Sequence, residues 1–301
     1  MDRHLTKSNR RNKPMPVLPV LGSTIFYRDA GAGVPLVFLH GNPTSSHVWR
    51  NVIANIDAPV RTIAPDLIGM GQSGKPEIAY RFADHAAYLD AWFDTMDLDR
   101  VVLVGHDWGG ALAMDWAARN PSRVAGIVLM ETILRPMIWA DFPGAHRARY
   151  ETLRGEGTGE VKVLDENFFI EQALKLTVRS GLSPEDHDVY RKPYATRESR
   201  RPLLAWPREM PIEGEPADTI ERIVAYDAWL ADSSDTPKLL LTFEGEEGTL
   251  MIGTGMTDWA RQNIASLEIE RCGPAGHVCP EDQPAAIGKA IASWVGRHGL
   301  C

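Results

Sequence analysis

Residues 101–118 read VVLVGHDWGGALAMDWAA. The aliphatic run at their start predicts a strand buried on both faces, and the small residues from Gly109 onward predict a helix packed closely against it. Between them Gly105-His106-Asp107-Trp108-Gly109 forms a glycine-flanked strand-to-helix turn that holds its central side chain on a strained backbone. Such a turn belongs to a parallel sheet covered by helices. Its central residue is an aspartate, whose carboxylate at a helix N-terminus is kept ionised by the dipole and the free N–H groups. The competing reading is an aspartate that merely caps a Gly-rich turn.

Five further aliphatic runs share the character of the first: VPLVFL (34–39), VRTIAPD (60–66), VAGIVLM (124–130), PKLLLTF (237–243) and SLEIERC (266–272). With RVVLVG (100–105) they predict six strands of a largely parallel sheet. Phe82, Ala86, Leu89, Trp92, Phe93 and Met96 fall at helical spacing, as do Ile287, Ile291, Trp294 and Val295. Alternation of strand and helix implies an α/β chain wound on both faces of its sheet. From 134 to 215 the strand rhythm stops and charge, aromatics and proline increase, which predicts a helical cap over the C-terminal edge of the sheet. The expected division is a tail over 1–14, a core over 15–133 and 216–301, and a cap over 134–215.

A formal net charge of -8 leaves no basic footprint for nucleic acid or an anionic membrane, and a small neutral substrate fits better. The three cysteines, Cys272, Cys279 and Cys301, lack metal-ligand or paired redox spacing and read as free thiols of a reducing, cytoplasmic setting. Cys272 and Cys279 flank His277 but supply too few ligands for zinc. Residues 1–14 carry five Lys/Arg and no apolar run, so they predict a disordered tail and no signal peptide. No run of about 18 apolar residues is present to span a membrane.

The residue type at 107 narrows the chemistry. A serine attacking an alkyl carbon leaves an inert ether, whereas a carboxylate leaves an ester that water can hydrolyse. Asp107 therefore points to displacement at saturated carbon. The segment VFLHGNPTSSHVWR (37–50) ends a strand in His40-Gly41-Asn42-Pro43, the loop that in such folds supplies an oxyanion-hole N–H. The Asn42 amide and the Trp108 indole N–H are two donors fit for a departing halide. His277, in the loop GPAGHVCPEDQP after the last strand, stands where a general base is expected. Its orienting acid is either Glu131, at the tip of VAGIVLM, or Glu244, after PKLLLTF; Glu131 is favoured because it ends a strand just before the cap. The other eight histidines read as motif neighbours (His40, His106) or as surface and local structural residues.

With HGNPTSS (40–46), APDLIGMGQSGKP (64–76), GHDWGG (105–110), the segment 130–143, RRPLLAWPREMPIEGEP (200–216) and the GH-x-x-x-ED-x-P loop (276–284), the chain resembles the haloalkane dehalogenase family over nearly all of 17–298. The resemblance implies an α/β-hydrolase fold, a mostly parallel sheet with a helical cap inserted after the sixth strand. It implies Asp107 as nucleophile, His277 as base, Glu131 as acid, and Asn42 and Trp108 as halide ligands. It also implies a pocket lined by Trp139, Phe142, Phe169, Trp206 and Pro207. The expected reaction uses a small apolar halogenated substrate and water, releases halide, and needs no cofactor or metal. The chain is expected as a monomer or weak homodimer. Val278-Cys279 and the loop EGEEGTLMIG (244–253) depart from the family pattern. Rival readings are an epoxide hydrolase using Tyr150, Tyr190 or Tyr194, a cofactor-independent luciferase-like oxygenase, and a non-catalytic ligand receptor.

Overall fold

The computed structural model describes residues 16–301. The basic stretch 1–14 lies outside the described residues. Eight strands form one sheet: β1 (Val17–Val20), β2 (Ser23–Gly31), β3 (Val34–Leu39), β4 (Val60–Pro65), β5 (Val101–Asp107), β6 (Val124–Thr132), β7 (Lys238–Glu244) and β8 (Leu267–Pro274). Their order is β1-β2-β4-β3-β5-β6-β7-β8. From β4 to β8 the strands run parallel, while β2 lies antiparallel to both β1 and β4.

The six aliphatic runs all form strands. The N-terminal hairpin is an addition that periodicity did not reveal. Its turn is Leu21-Gly22, both at positive φ (46° and 74°), so the turn is of the primed type that fits strand twist. A leucine at that position hides the Asn-Gly or Asp-Gly signal by which such turns are recognised.

Burial follows position in the sheet. Every residue of β5 and of β6 is buried, because both strands are covered on their two faces. The helices Phe82–Thr95, Trp108–Arg119 and Ala217–Asp232 pack side by side, and Pro284–Arg297 packs on β8 and on the short helix Arg50–Ile53. Trp49, Trp92, Trp116 and Trp294 are fully buried among them.

The sheet order places the site. The chain leaves β3 for β4 on one side, then returns to lay β5 on the other, so the C-terminal ends of β3 and β5 neighbour each other with the connections diverging. A crevice must open at such a switch point. Leu39 pairs with Gly105, and Asp107 pairs with Thr132 beyond a register shift, which brings the ends of β3, β5 and β6 together.

Between β6 and the helix Ala217–Asp232 the described residues form no strand, only isolated bridges at Met137, Ile212 and Glu215. This stretch is a set of short helices, including Arg147–Arg154, Pro184–Arg191 and Arg201–Glu209, with π-helical turns at Glu160–Asp165 and Phe169–Ala173. No helix among the described residues is long and apolar enough to cross a membrane. Cys272, Cys279 and Cys301 are free thiols.

Candidate active site

Asp107 ends β5 and precedes the helix Trp108–Arg119 with φ 53° and ψ -130°, outside the regions an L-residue favours. Strain of this kind costs about 1–3 kcal/mol and persists only where the surroundings enforce it. They do so here. Thr132 Oγ1 donates to the Asp107 carbonyl at 2.6 Å. A Cβ on Gly109 would collide with the Leu39 carbonyl, and one on Gly41 with the Asp107 carboxylate, so both glycines permit the close approach. The Asn42 backbone N–H donates to Asp107 Oδ1 at 2.7 Å.

The second oxygen, Asp107 Oδ2, faces His277 Nε2 at 3.3 Å. On the other edge of the ring, His277 Nδ1 donates to Glu131 Oε2 at 3.1 Å. Glu131 is completely buried, and its carboxylate also accepts from the backbone N–H groups of Met251 and Ile252, each at 3.0 Å. Of the two candidate acids, Glu131 thus meets the histidine. Glu244 is exposed and faces Arg271 at 3.6 Å. His106 Nε2 donates to the His277 carbonyl at 2.8 Å and fixes the loop from behind.

The electrostatics follow from this geometry. Burial disfavours a charged His277, but Asp107 and Glu131 outweigh it and hold its pKa up at about 10. Burial likewise opposes ionisation of Asp107, yet His277, the nearby His106 and the Trp108 N–H keep its pKa below the ordinary value. Desolvation drives His106 down to about 4, so it remains a neutral support. The resting pair is therefore carboxylate and imidazolium.

Above the pair lies a cavity of about 120 Å³. Asn42, Asp107, Trp108 and His277 form its floor, and Phe142, Tyr150, Leu153, Phe168, Phe169 and Met210 supply an apolar roof. Asn42 Oδ1 is buried without a partner, an acceptor the fold leaves unused at the cavity floor. Of the five aromatic and proline residues expected at the pocket, Phe142 and Phe169 line the cavity. Three expected neighbours do not. Trp206 is buried one layer deeper, its ring stacked on Trp108 at 4.7 Å and on His85 at 4.2 Å, while its Nε1 donates to Met70 Sδ at 3.4 Å. Pro207 is buried in the same helix, away from the cavity. Trp139 packs edge-on against Phe142 at 5.6 Å with Arg147 over its ring, behind the wall.

Five further lining residues carry polar groups: His146, Arg149, Thr177, Thr249 and Tyr150, the last read from the sequence only as an alternative acid donor. His146, read from the sequence as a surface or local structural residue, lines the cavity wall. Tyr190, by contrast, donates to Glu281 Oε1 at 2.5 Å, and Tyr194 is buried under Lys75, so of the three cap tyrosines only Tyr150 reaches this cavity. A signal existed for the wall: His146, Arg149, Tyr150 and Leu153 sit at i, i+3, i+4 and i+7, one face of a helix, though only Tyr150 and Leu153 on that face are apolar or aromatic.

An aspartate on a strand-to-helix elbow, an N–H on one carboxylate oxygen, a histidine on the other and a buried acid behind it define an α/β-hydrolase-fold protein with a carboxylate in the nucleophile position. Residues 34–201 match the α/β hydrolase fold family. The chain is 46% identical to a haloalkane dehalogenase of Mesorhizobium japonicum over 96% of each chain, and 44% identical to one of Sphingobium indicum over 93% of this chain and 94% of the relative. The solved structure of the haloalkane dehalogenase DbeA from Bradyrhizobium elkani superposes with a TM-score of 0.90 at 43% identity, covering 95% of this chain and 98% of its own. The chain belongs to the haloalkane dehalogenase family.

Proposed function

We propose that this protein cleaves carbon–halogen bonds of haloalkanes hydrolytically, giving alcohol, halide and a proton by way of an alkyl ester on Asp107. The observation that carries the reading is the division of labour on one carboxylate: Oδ1 is held by the Asn42 N–H, and Oδ2 is turned toward the cavity and His277. In the first step Oδ2 attacks the halogen-bearing carbon from the side opposite the halogen. The carbon–oxygen bond forms as the carbon–halogen bond breaks, and the halide leaves with the bonding pair toward the Asn42 amide and the Trp108 indole N–H.

Alkylation then changes the histidine. The ester has no charge, so His277 loses one of the two carboxylates that raise its pKa and can give up its proton. Neutral His277 takes a proton from water through Nε2, and the hydroxide attacks Cγ of Asp107. Negative charge develops on Oδ1, where the Asn42 N–H already points. Collapse breaks the bond from Cγ to the alkoxy oxygen, which leaves as the alcohol with the proton His277 took from water. The new carboxyl group passes its proton to His277, and the proton His277 first gave to solvent is the one released overall. Glu131 holds the ring in position and stabilises its positive charge.

The test is halide release from 1,2-dibromoethane and 1-bromobutane at neutral pH by wild type and Asp107→Ala. The wild type is expected to release halide, and the variant to lose at least about 10⁴-fold in rate. No release by the wild type would overturn the proposal, with styrene oxide turnover the next assay.

A further inference from the structure

We propose that the cavity accepts haloalkanes bearing a carboxylate at the end remote from the halogen, and that Arg149 binds this carboxylate. The assignment rests on the dehalogenation reading above and names a substrate class for it. Its basis is the charge of the cavity wall. Five ionisable side chains line it: Asp107, His277, His146, Arg149 and Tyr150. Asp107 and His277 face each other at 3.3 Å and compensate. Tyr150 is kept neutral by burial and by the Asp107 charge. His146 is pushed toward the neutral form by burial, by the Arg149 charge and by the His277 charge, which outweigh its hydrogen bond to the Thr249 backbone. Arg149 is left as the uncompensated charge.

Among the described residues no carboxylate lies within ion-pair distance of the Arg149 guanidinium. Its neighbours differ. Arg147 pairs with Glu151 at 3.0 Å, Arg208 pairs with Glu160 at 2.8 Å, and Arg154 donates to the Met210 and Pro207 carbonyls. Arg149 instead lies over the ring of Phe168 at 5.8 Å, and Phe168 itself lines the cavity. The guanidinium therefore rests on an apolar wall with its donors unspent. Because Arg149 is exposed, a carboxylate can reach it while remaining partly hydrated, which avoids most of the desolvation penalty of a buried ion pair. The planar fork suits a carboxylate bidentately, and the apolar roof suits the methylene chain between the two ends. The chain as a whole carries -8 and repels anions, so the preference must come from this local charge and must weaken with salt.

The experiment compares kcat/KM for ω-bromoalkanoates of about four to eight carbons with their methyl esters, in wild type, Arg149→Gln, Arg149→Lys and Arg149→Glu, at low and high salt. The carboxylate-to-ester ratio is expected to fall about tenfold in Arg149→Gln, to fall further in Arg149→Glu, to persist in Arg149→Lys, and to shrink with salt in the wild type. In parallel, hexanoate is titrated calorimetrically, with binding about tenfold weaker to Arg149→Gln expected. Bromide release with a ratio and a hexanoate affinity that ignore residue 149 overturns this assignment and leaves dehalogenation standing. No bromide from any substrate, 1-bromobutane included, overturns the dehalogenation reading and this substrate class with it.

Discussion

The floor of the cavity is built from residues at and just beyond the C-terminal ends of β3, β5 and β8, with Glu131 of β6 behind them, and its roof from residues between β6 and Ala217. On the floor, backbone groups hold the reacting side chains: Asn42 N–H on Asp107, Met251 and Ile252 N–H on Glu131, Thr132 on the Asp107 carbonyl. On the roof, Phe168, Phe169 and Tyr150 are placed by packing alone, on elements that include a π-helical turn. Hydrogen bonds to a buried sheet fix atoms to a fraction of an ångström, as bond-making requires, while aromatic packing tolerates repacking. A reaction is thus anchored to one half of the molecule and its substrate range to the other. Substitutions on the floor should change rates by orders of magnitude and alter pH dependence; those on the roof should change preference.

The proposed base offers the sharpest test. His277→Phe is expected to permit the first step and block the second. One equivalent of halide is then released, the alkyl ester persists on Asp107 as a mass increment of the alkyl group less one hydrogen, and steady-state turnover falls about 10⁴-fold. The wild type should imitate this at low pH. His277 must be neutral to activate water, so acidification protonates it in the ester intermediate, and the burst of halide relative to steady-state release should grow as pH falls. In the free enzyme the sign is different. A histidine whose pKa is raised to about 10 stabilises the fold fully below its unfolded value of 6.5 and loses that contribution as pH rises toward 10. Thermal scans from pH 6.5 to 10 should show a decline that His277→Phe lacks.

Glu131→Gln tests the buried acid. The carboxylate serves three donors: Met251 N–H, Ile252 N–H and His277 Nδ1–H. Glutamine offers one acceptor oxygen and places an NH₂ where an acceptor is required, so turnover should fall about 10²–10⁴-fold, with about 1–3 kcal/mol lost from stability in denaturant titrations. That Glu131 meets His277 was legible because it ends an aliphatic strand immediately before the rhythm stops. The elbow was legible because close backbone approach demands glycine at Gly41 and Gly109. The N-terminal hairpin was not, since Leu21 occupies a turn position that usually declares itself with asparagine or glycine. The roof was read only in part. Composition shows that aromatics are present between 134 and 215, but which of them faces the cavity depends on how irregular helices settle on the core. Phe142 and Phe169 face it, whereas Trp206 lies behind Trp108.

Trp206 joins the two halves, and its substitution should have an intermediate effect. The stack His85–Trp206–Trp108 runs from the core through the cap helix Arg201–Glu209 to the floor, with ring separations of 4.2 and 4.7 Å. Trp206→Leu removes the surface against which the Trp108 indole rests. Halide affinity, followed by bromide titration, should weaken about tenfold, and unfolding free energy should drop by about 3 kcal/mol for the loss of a fully buried indole. Unaltered halide affinity would mean that the floor holds Trp108 without help from the cap.

Phe169→Ala should give the smallest effect and bears most directly on the contrast between floor and roof. Phe169 lies in the π-helical turn Phe169–Ala173 and packs edge-on against Phe168 at 5.8 Å, both rings lining the cavity. Removing the ring takes contact area from a short substrate and opens space for a longer one. The ratio of kcat/KM for 1,2-dibromoethane to that for 1-bromohexane is therefore expected to fall several-fold, about 1 kcal/mol in differential transition-state binding. The same argument requires the apparent pKa for ester hydrolysis, set by His277 and Glu131, to keep its wild-type value in the variant. If that pKa moves with the substrate ratio, the roof governs the electrostatics of the second step as well as substrate fit, and the separation of reaction from preference fails.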